Sequence, residues 1–316
     1  MIITWGSYKK DTNCVQKLFP CGSAPTFWSV NWIAALFHLL NTVVTMVLWA
    51  ISDDKDQVFK LSENYAPWVT NNGTCPKTNC SSSFKISDEW CVETCSETTS
   101  ELSLWWLVIA FHFLSFVFQT LSMAEWDIPC CGYSCVRQSY ITEVDETGTN
   151  PLRMIEYSIS ATLMQIAIAL ILGVWDRLTI IGIAVLTCVT MLLGLIAEQL
   201  KYDRKVIAWV AHFTGWISML GVWAILGRQF TFTIEKSTEK PPEFVYAIVI
   251  VISILYTGFA LVQTVDLALT GKEKSKSRHR AVELAFCVLS LTSKTFLGWI
   301  IFGNALSGMA ANTSRR

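Results

Sequence analysis

Seven apolar runs alternate with polar connections along this chain, over 27–51, 102–124, 153–175, 178–197, 206–227, 244–266 and 281–305. Each is close to the ~20 residues that a helix needs to cross a bilayer. The pattern predicts an all-α membrane protein built as a seven-transmembrane-helix bundle. Composition agrees, with 52% hydrophobic and only 16% charged residues. Residues 1–26 are polar and show no apolar stretch ahead of a small-residue cleavage site, so span one is expected to serve as its own anchor.

The basic residues orient the bundle. Lys272, Lys274, Lys276, Arg278 and Arg280 crowd the loop 271–280; Lys9, Lys10 and Lys17 precede span one; Lys201, Arg204 and Lys205 follow span four. With seven spans these share one side, which the positive-inside rule makes cytoplasmic. The expected layout is a cytoplasmic segment 1–26, a membrane domain 27–305 and an extracellular tail 306–316, in the plasma membrane or an endomembrane. The connection 52–101 opens with Asp53, Asp54 and Asp56 and falls outside. It holds Cys75, Cys80, Cys91 and Cys95 in an oxidising compartment, so disulfides are expected, although four cysteines allow three pairings. Sequons at Asn72, Asn79 and Asn312 fall on that same side, as glycosylation requires. Strand-like pieces over 57–61 and 84–87 predict a small disulfide-pinned β-ribbon in this loop. On the inner side Cys14, Cys21, Cys130, Cys131 and Cys135 lack a C-x-x-C pair, which favours reduced or acylated thiols over a zinc site.

Ionisable residues inside spans are functional candidates by default. The sharpest is Lys294, which has no other charge between it and Glu283, or beyond it before Arg315. At ~1.5 Å per residue it sits near the middle of a hydrocarbon core about 30 Å thick. An ammonium there must be deprotonated, paired or covalently used, and a desolvated lysine makes a good Schiff-base amine. His38 and His112 lie at nearly the same depth, and His212 is a third intramembrane histidine. Span three opens with Asn150 as an N-cap and Pro151 at the first helical position. Arg153 and Glu156 follow on one face, with Ser160 a turn deeper. Glu156 is the only acid within that span and the candidate counterion, although hydropathy puts it shallower than Lys294. Trp209, Trp216 and Trp223 share a face of span five, suited either to walling a pocket or to packing a neighbour.

These residues resemble the heliorhodopsins. The likeness runs through Asn31-Trp-Ile-Ala-Ala-Leu-Phe-His38, His112, Arg153-Met-Ile-Glu156-Tyr-Ser-Ile-Ser160 and Leu289-Ser290-Leu-Thr-Ser-Lys294. It implies a rhodopsin-like bundle of inverted topology, with all-trans retinal on Lys294 as a protonated Schiff base and Glu156 as its counterion. Ser290 would lie a turn below the linkage, and His38 and His112 would belong to a polar cavity on its inner side, where Arg153 also falls. Tyr157, Trp216, Tyr256 and Phe259 are the expected aromatic walls. The resemblance also implies a homodimer. The long cysteine-bearing, sequon-bearing outer loop departs from the family and suggests a eukaryotic or eukaryotic-virus host.

The spacing speaks against an outward proton pump, because Ala167 stands where a pump of the related rhodopsins carries its donor carboxyl. The expectation is a photosensor with a slow photocycle and an output at the inner surface. The basic loop 271–280 is suited to an anionic partner or to the lipid bilayer. A light-gated proton channel is the rival, and it would need titratable groups on both sides of Lys294. A retinal-free transporter or receptor is the remote one. Nothing in the chain points to an enzyme or to nucleic-acid binding.

Overall fold

The computed structural model describes residues 25–52, 58–65, 68–70, 82–85, 90–123, 125–127, 137–238, 243–271 and 274–313. In chain order these form α1 (Pro25–Ile51), β1 (Phe59–Tyr65), β2 (Trp68–Thr70), β3 (Ser82–Lys85), β4 (Trp90–Leu102), α2 (Leu104–Met123), β5 (Glu125–Asp127), β6 (Arg137–Ser139) and α3 (Tyr140–Thr147). The five long helices α4 (Pro151–Ile171), α5 (Arg177–Leu200), α6 (Lys205–Lys236), α7 (Glu243–Leu269) and α8 (Lys276–Thr313) follow. Among the described residues seven helices are long and apolar enough to cross a membrane, one for each apolar run.

The seven close into a ring in the order α1, α2, α4, α5, α6, α7, α8, with α8 returning to α1. Helix α4 is the most enclosed, 67% of its apolar window being buried against 22% for α7. Its start is set locally: the Asn150 side chain accepts from the Arg153 backbone N–H at 3.0 Å, and Pro151 occupies the first turn. Its end is set by Gly173 at φ 87°, a conformation that favours glycine. Asp176 then caps α5 by accepting from Thr179 N at 2.8 Å and from its hydroxyl at 2.6 Å.

The connection between α1 and α2 folds into an antiparallel sheet in which β4 is the common strand. It pairs with β1 along one stretch and with β2 and β3 along the other. The sheet is therefore larger than the ribbon expected. It is moored to the α4–α5 turn by Ser62 N donating to Trp175 O at 2.9 Å, Asn64 donating to Asp176 at 3.2 Å, and an Arg177–Glu63 pair at 2.9 Å. Cys95 is buried and disulfide-bonded. Cys75, Cys80, Asn72 and Asn79, together with Cys14, Cys21, Cys130, Cys131 and Cys135, lie outside the described residues. Cys91 and Asn312 are described by backbone alone, in β4 and α8.

Two features of the opposite face escaped hydropathy. Strands β5 and β6 pair, and the short helix α3 packs on the start of α8. Helices α6 and α8 also outrun their apolar windows, because a helix continues wherever backbone bonding does and need not stop where side chains become polar.

Candidate functional site

Lys294 points from α8 to Ser115 on α2 and Glu156 on α4. Its Nζ donates to Ser115 Oγ at 2.6 Å and makes a short ion pair with Glu156 Oε1. That oxygen also accepts from Ser115 Oγ at 2.7 Å and Ser160 Oγ at 2.9 Å. All four residues are buried. Three donors converging on one carboxylate oxygen provide for a negative charge opposite a cation in a low-dielectric interior. The Lys294 side chain thus spans the offset in depth that hydropathy assigned to Glu156. Tyr157 lies beneath the ammonium, its ring centroid 5.1 Å from Nζ, and donates to Phe286 O at 3.0 Å.

From Lys294 a slot runs between α4, α5, α6, α7 and α8. Near the lysine it is lined by Tyr157, Ser160, Met191, Tyr256, Phe259 and Ser290. Tyr157, Met191, Tyr256 and Phe259 continue into a second chamber that ends on Trp216, His212 and Gln263. Tyr157 and Tyr256 both meet Phe259 edge-on, at 5.4 and 6.3 Å between centroids. Gly194 and Gly215 also line this chamber, and a Cβ on Gly194 would come within 3.3 Å of Gln263. An elongated aromatic slot closed at one end by a primary amine fits a polyene aldehyde such as retinal. Of the tryptophan stripe, Trp216 walls the slot, Trp223 meets Tyr256 edge-on, and Trp209 stacks on Phe213.

The expected inner cavity of His38, His112 and Arg153 divides in two. His38 and His112 face each other through their Nδ1 atoms at 3.2 Å. A Cβ on Gly298 would lie 2.9 Å from His112 Nε2, which places the histidine a turn beyond Lys294 towards the C-terminus of α8. Arg153 lies on the other side. It does not pair with Glu156, three residues along its own helix, but donates to Glu198 at 2.7 and 2.9 Å and pairs with Glu283. Asn150 supports Glu283 at 2.9 Å, and the guanidinium stacks on Phe286 at 4.1 Å. A small cavity lined by Asn31, Gln119, Asn150, Arg153, Glu156 and Glu283 joins this cluster to the lysine site.

Farther along the same face, Lys201 donates to Asp266 and to Gly148 O, both at 2.6 Å, and Arg280 grips Asp145 at 2.7 and 2.6 Å. His279 Nδ1 donates to Asp145 O at 2.8 Å, leaving Nε2 to accept from Tyr202, 2.5 Å away. Burial raises the Tyr202 hydroxyl above the usual tyrosine value, so it remains a donor.

Sequence reasoning missed Ser115, Glu198 and Glu283 as site residues. Ser115 had a signal, standing three residues after His112 on one helical face. Glu198 and Glu283 stand at the edges of their apolar runs, and only the packing of α5 and α8 against α4 brings them to Arg153. Ala167, by contrast, sits fully buried in the apolar core with Val108, Phe111, Ile168, Ile248 and Leu297.

A family model described as Heliorhodopsin matches residues 27–306. Among solved structures, the transmembrane domain of the Salpingoeca rosetta rhodopsin phosphodiesterase is similar at 14% identity and TM-score 0.56, covering 90% of each chain. The light-driven proton pump LR (Mac) from Leptosphaeria maculans is similar at 14% identity and TM-score 0.56, covering 89% of this chain and 97% of its own. At such identity these likenesses establish the bundle alone. No curated protein matches the chain.

Proposed function

The chain belongs to the heliorhodopsin family, and on that premise we propose that it is a photosensory receptor that binds all-trans retinal on Lys294, with Glu156 as counterion and no pumping of ions. The observation that carries this reading is the Lys294–Ser115–Glu156 constellation at the closed end of an aromatic slot. Bound retinal supplies the absorption of visible light and a change of shape on excitation.

The chain's own residues account for the rest. Ser115 and Ser160 hold the Glu156 oxygen where a cation on Lys294 needs it, so the charge pair is formed before light arrives. His38 and His112 stand within a helical turn as groups able to take and return a proton. Beyond His38 and His112, Ala167 and its apolar neighbours add no titratable group towards the sheet side, which disfavours net transport. The Arg153 cluster leads instead to the basic loop 271–280. The output is then a slow rearrangement of that face, read by an anionic cytoplasmic partner or by lipid headgroups. The N-terminus is cytoplasmic on this reading, the sheet is extracellular, and the functional unit is a homodimer.

Retinal added to the expressed protein should give a visible band that Lys294→Ala abolishes, and illuminated cells should carry no sustained photocurrent. A band surviving Lys294→Ala would remove the attachment site. A steady current reversing with the proton gradient would replace the sensor by a channel.

A further inference from the structure

At the end of the slot remote from Lys294, three helices share a chain of hydrogen bonds. Gln263 on α7 donates its amide N–H to Gly194 O on α5 at 2.7 Å, which fixes the direction of the amide. Its Oε1 therefore faces His212 Nδ1 on α6 at 3.2 Å, and a carbonyl oxygen can only accept. The proton of His212 must then sit on Nδ1. Its Nε2 is left with a lone pair, and the Trp216 indole, a donor only, points its N–H at that atom from 3.0 Å. Thr264 Oγ1 also reaches Nε2, at 2.7 Å, while lying 2.7 Å from Ala260 O. A proton on Nε2 would suit Thr264 but would collide with the Trp216 N–H. His212 is 3% exposed, and its ring nitrogens are served by Gln263, Trp216 and Thr264.

We propose that His212 is a positioning residue for the chromophore: held as the Nδ1–H tautomer by Gln263 and Gly194, it uses the Nε2 lone pair to hold the Trp216 indole as the end wall of the slot. This rests on the reading of Lys294 as the retinal attachment site. It adds that the far end of the slot is set by the position of one proton, read through four side-chain and backbone groups. An apolar residue at 212 could fill the space but could not orient the indole. Gln263 meets His212 through its carbonyl oxygen alone while its amide N–H ties α7 to α5, so its loss should reproduce a milder form of the same defect.

The test begins without chromophore. Nitrogen NMR of the histidine-labelled apoprotein should report a protonated Nδ1 and an unprotonated Nε2 for His212, and a hydrogen-bonded Trp216 indole N–H assigned through Trp216→Phe. In His212→Leu that indole signal should move to the position of a free N–H. In His212→Gln, whose carbonyl can accept from Trp216, it should return. With retinal, His212→Leu should shift the absorption maximum and slow pigment formation by up to about tenfold, the scale of one lost hydrogen bond, while His212→Gln recovers most of both. Gln263→Leu should give mixed tautomers and an intermediate shift, which keeps the test sound if His212→Leu folds poorly. A protonated Nε2 in the wild type, or an unchanged indole signal and spectrum in His212→Leu, would overturn the proposal. The predicted tautomer and indole signal with no pigment even in the wild type would overturn both the retinal reading and the positioning role, leaving only a relay that orients Trp216.

Discussion

On the Arg153 side of Lys294 the bundle is crossed by buried charge, and on the sheet side it is not. Every buried carboxylate, lysine and arginine among the described residues lies at Lys294 or on the Arg153 side: Asp145, Arg153, Glu156, Glu198, Lys201, Asp266 and Glu283. The opposite half is filled by Val108, Phe111, Ala167, Ile168, Ile248, Ile252 and Leu297, several with no exposed surface at all. The ionic half is tolerated because each charge has partners. Arg153 serves two carboxylates, and Asp266 meets both Lys201 and Arg278. A change of charge at Lys294 therefore meets a chain of ion pairs in one direction and, past the His38–His112 pair, a mostly apolar, close-packed core in the other. That asymmetry favours a rearrangement of one face over passage through the molecule.

The comparison breaks most severely at Arg153. Arg153→Leu strands Glu198 and Glu283 in the interior and should lower stability by about 3–5 kcal/mol, read as a fall in thermal midpoint in detergent. A midpoint within error of wild type would mean that these carboxylates are neutral or wet, and the ionic half would lose its meaning. Leu297→Ala probes the other half. With its side chain fully buried, the truncation should cost about 2–5 kcal/mol through lost contacts and the cavity left behind. Unlike Arg153→Leu, it should leave the salt dependence of unfolding unchanged.

A sharper contrast comes from placing a polar group where the core is dry. Ala167→Ser should cost about 1–3 kcal/mol if its hydroxyl finds no partner, and it should create no photocurrent. Current appearing in that variant would show the sheet side to be one group short of a proton path. The smallest effect is expected at the surface mooring of the sheet. The Arg177–Glu63 side chains are 43% and 35% exposed, so Glu63→Gln should change the midpoint by no more than about 1 kcal/mol of stability. A larger loss would mean that the sheet anchors the bundle and does not merely cap it.

Much of this was legible in the residues. Hydropathy determined the seven spans, because a helix in hydrocarbon must satisfy its own backbone and present apolar side chains along ~20 residues. The isolation of Lys294 marked the site, since an intramembrane ammonium demands a partner, and Glu156 was the one acid within span three. The N-cap at Asn150 was equally local, needing only the residues that follow it. Tertiary structure alone decided which charge meets which. Arg153 and Glu156 share a helical face, yet Arg153 turns to Glu198 and Glu283 while Glu156 turns to Ser115 and Lys294. It also set His38 and His112 apart from Arg153, on the other side of the lysine. The physical reason is one of range: burial and capping depend on residues within a turn or two, whereas the pairing of buried charges depends on how five separate helices rotate and settle against one another, and no local pattern records that.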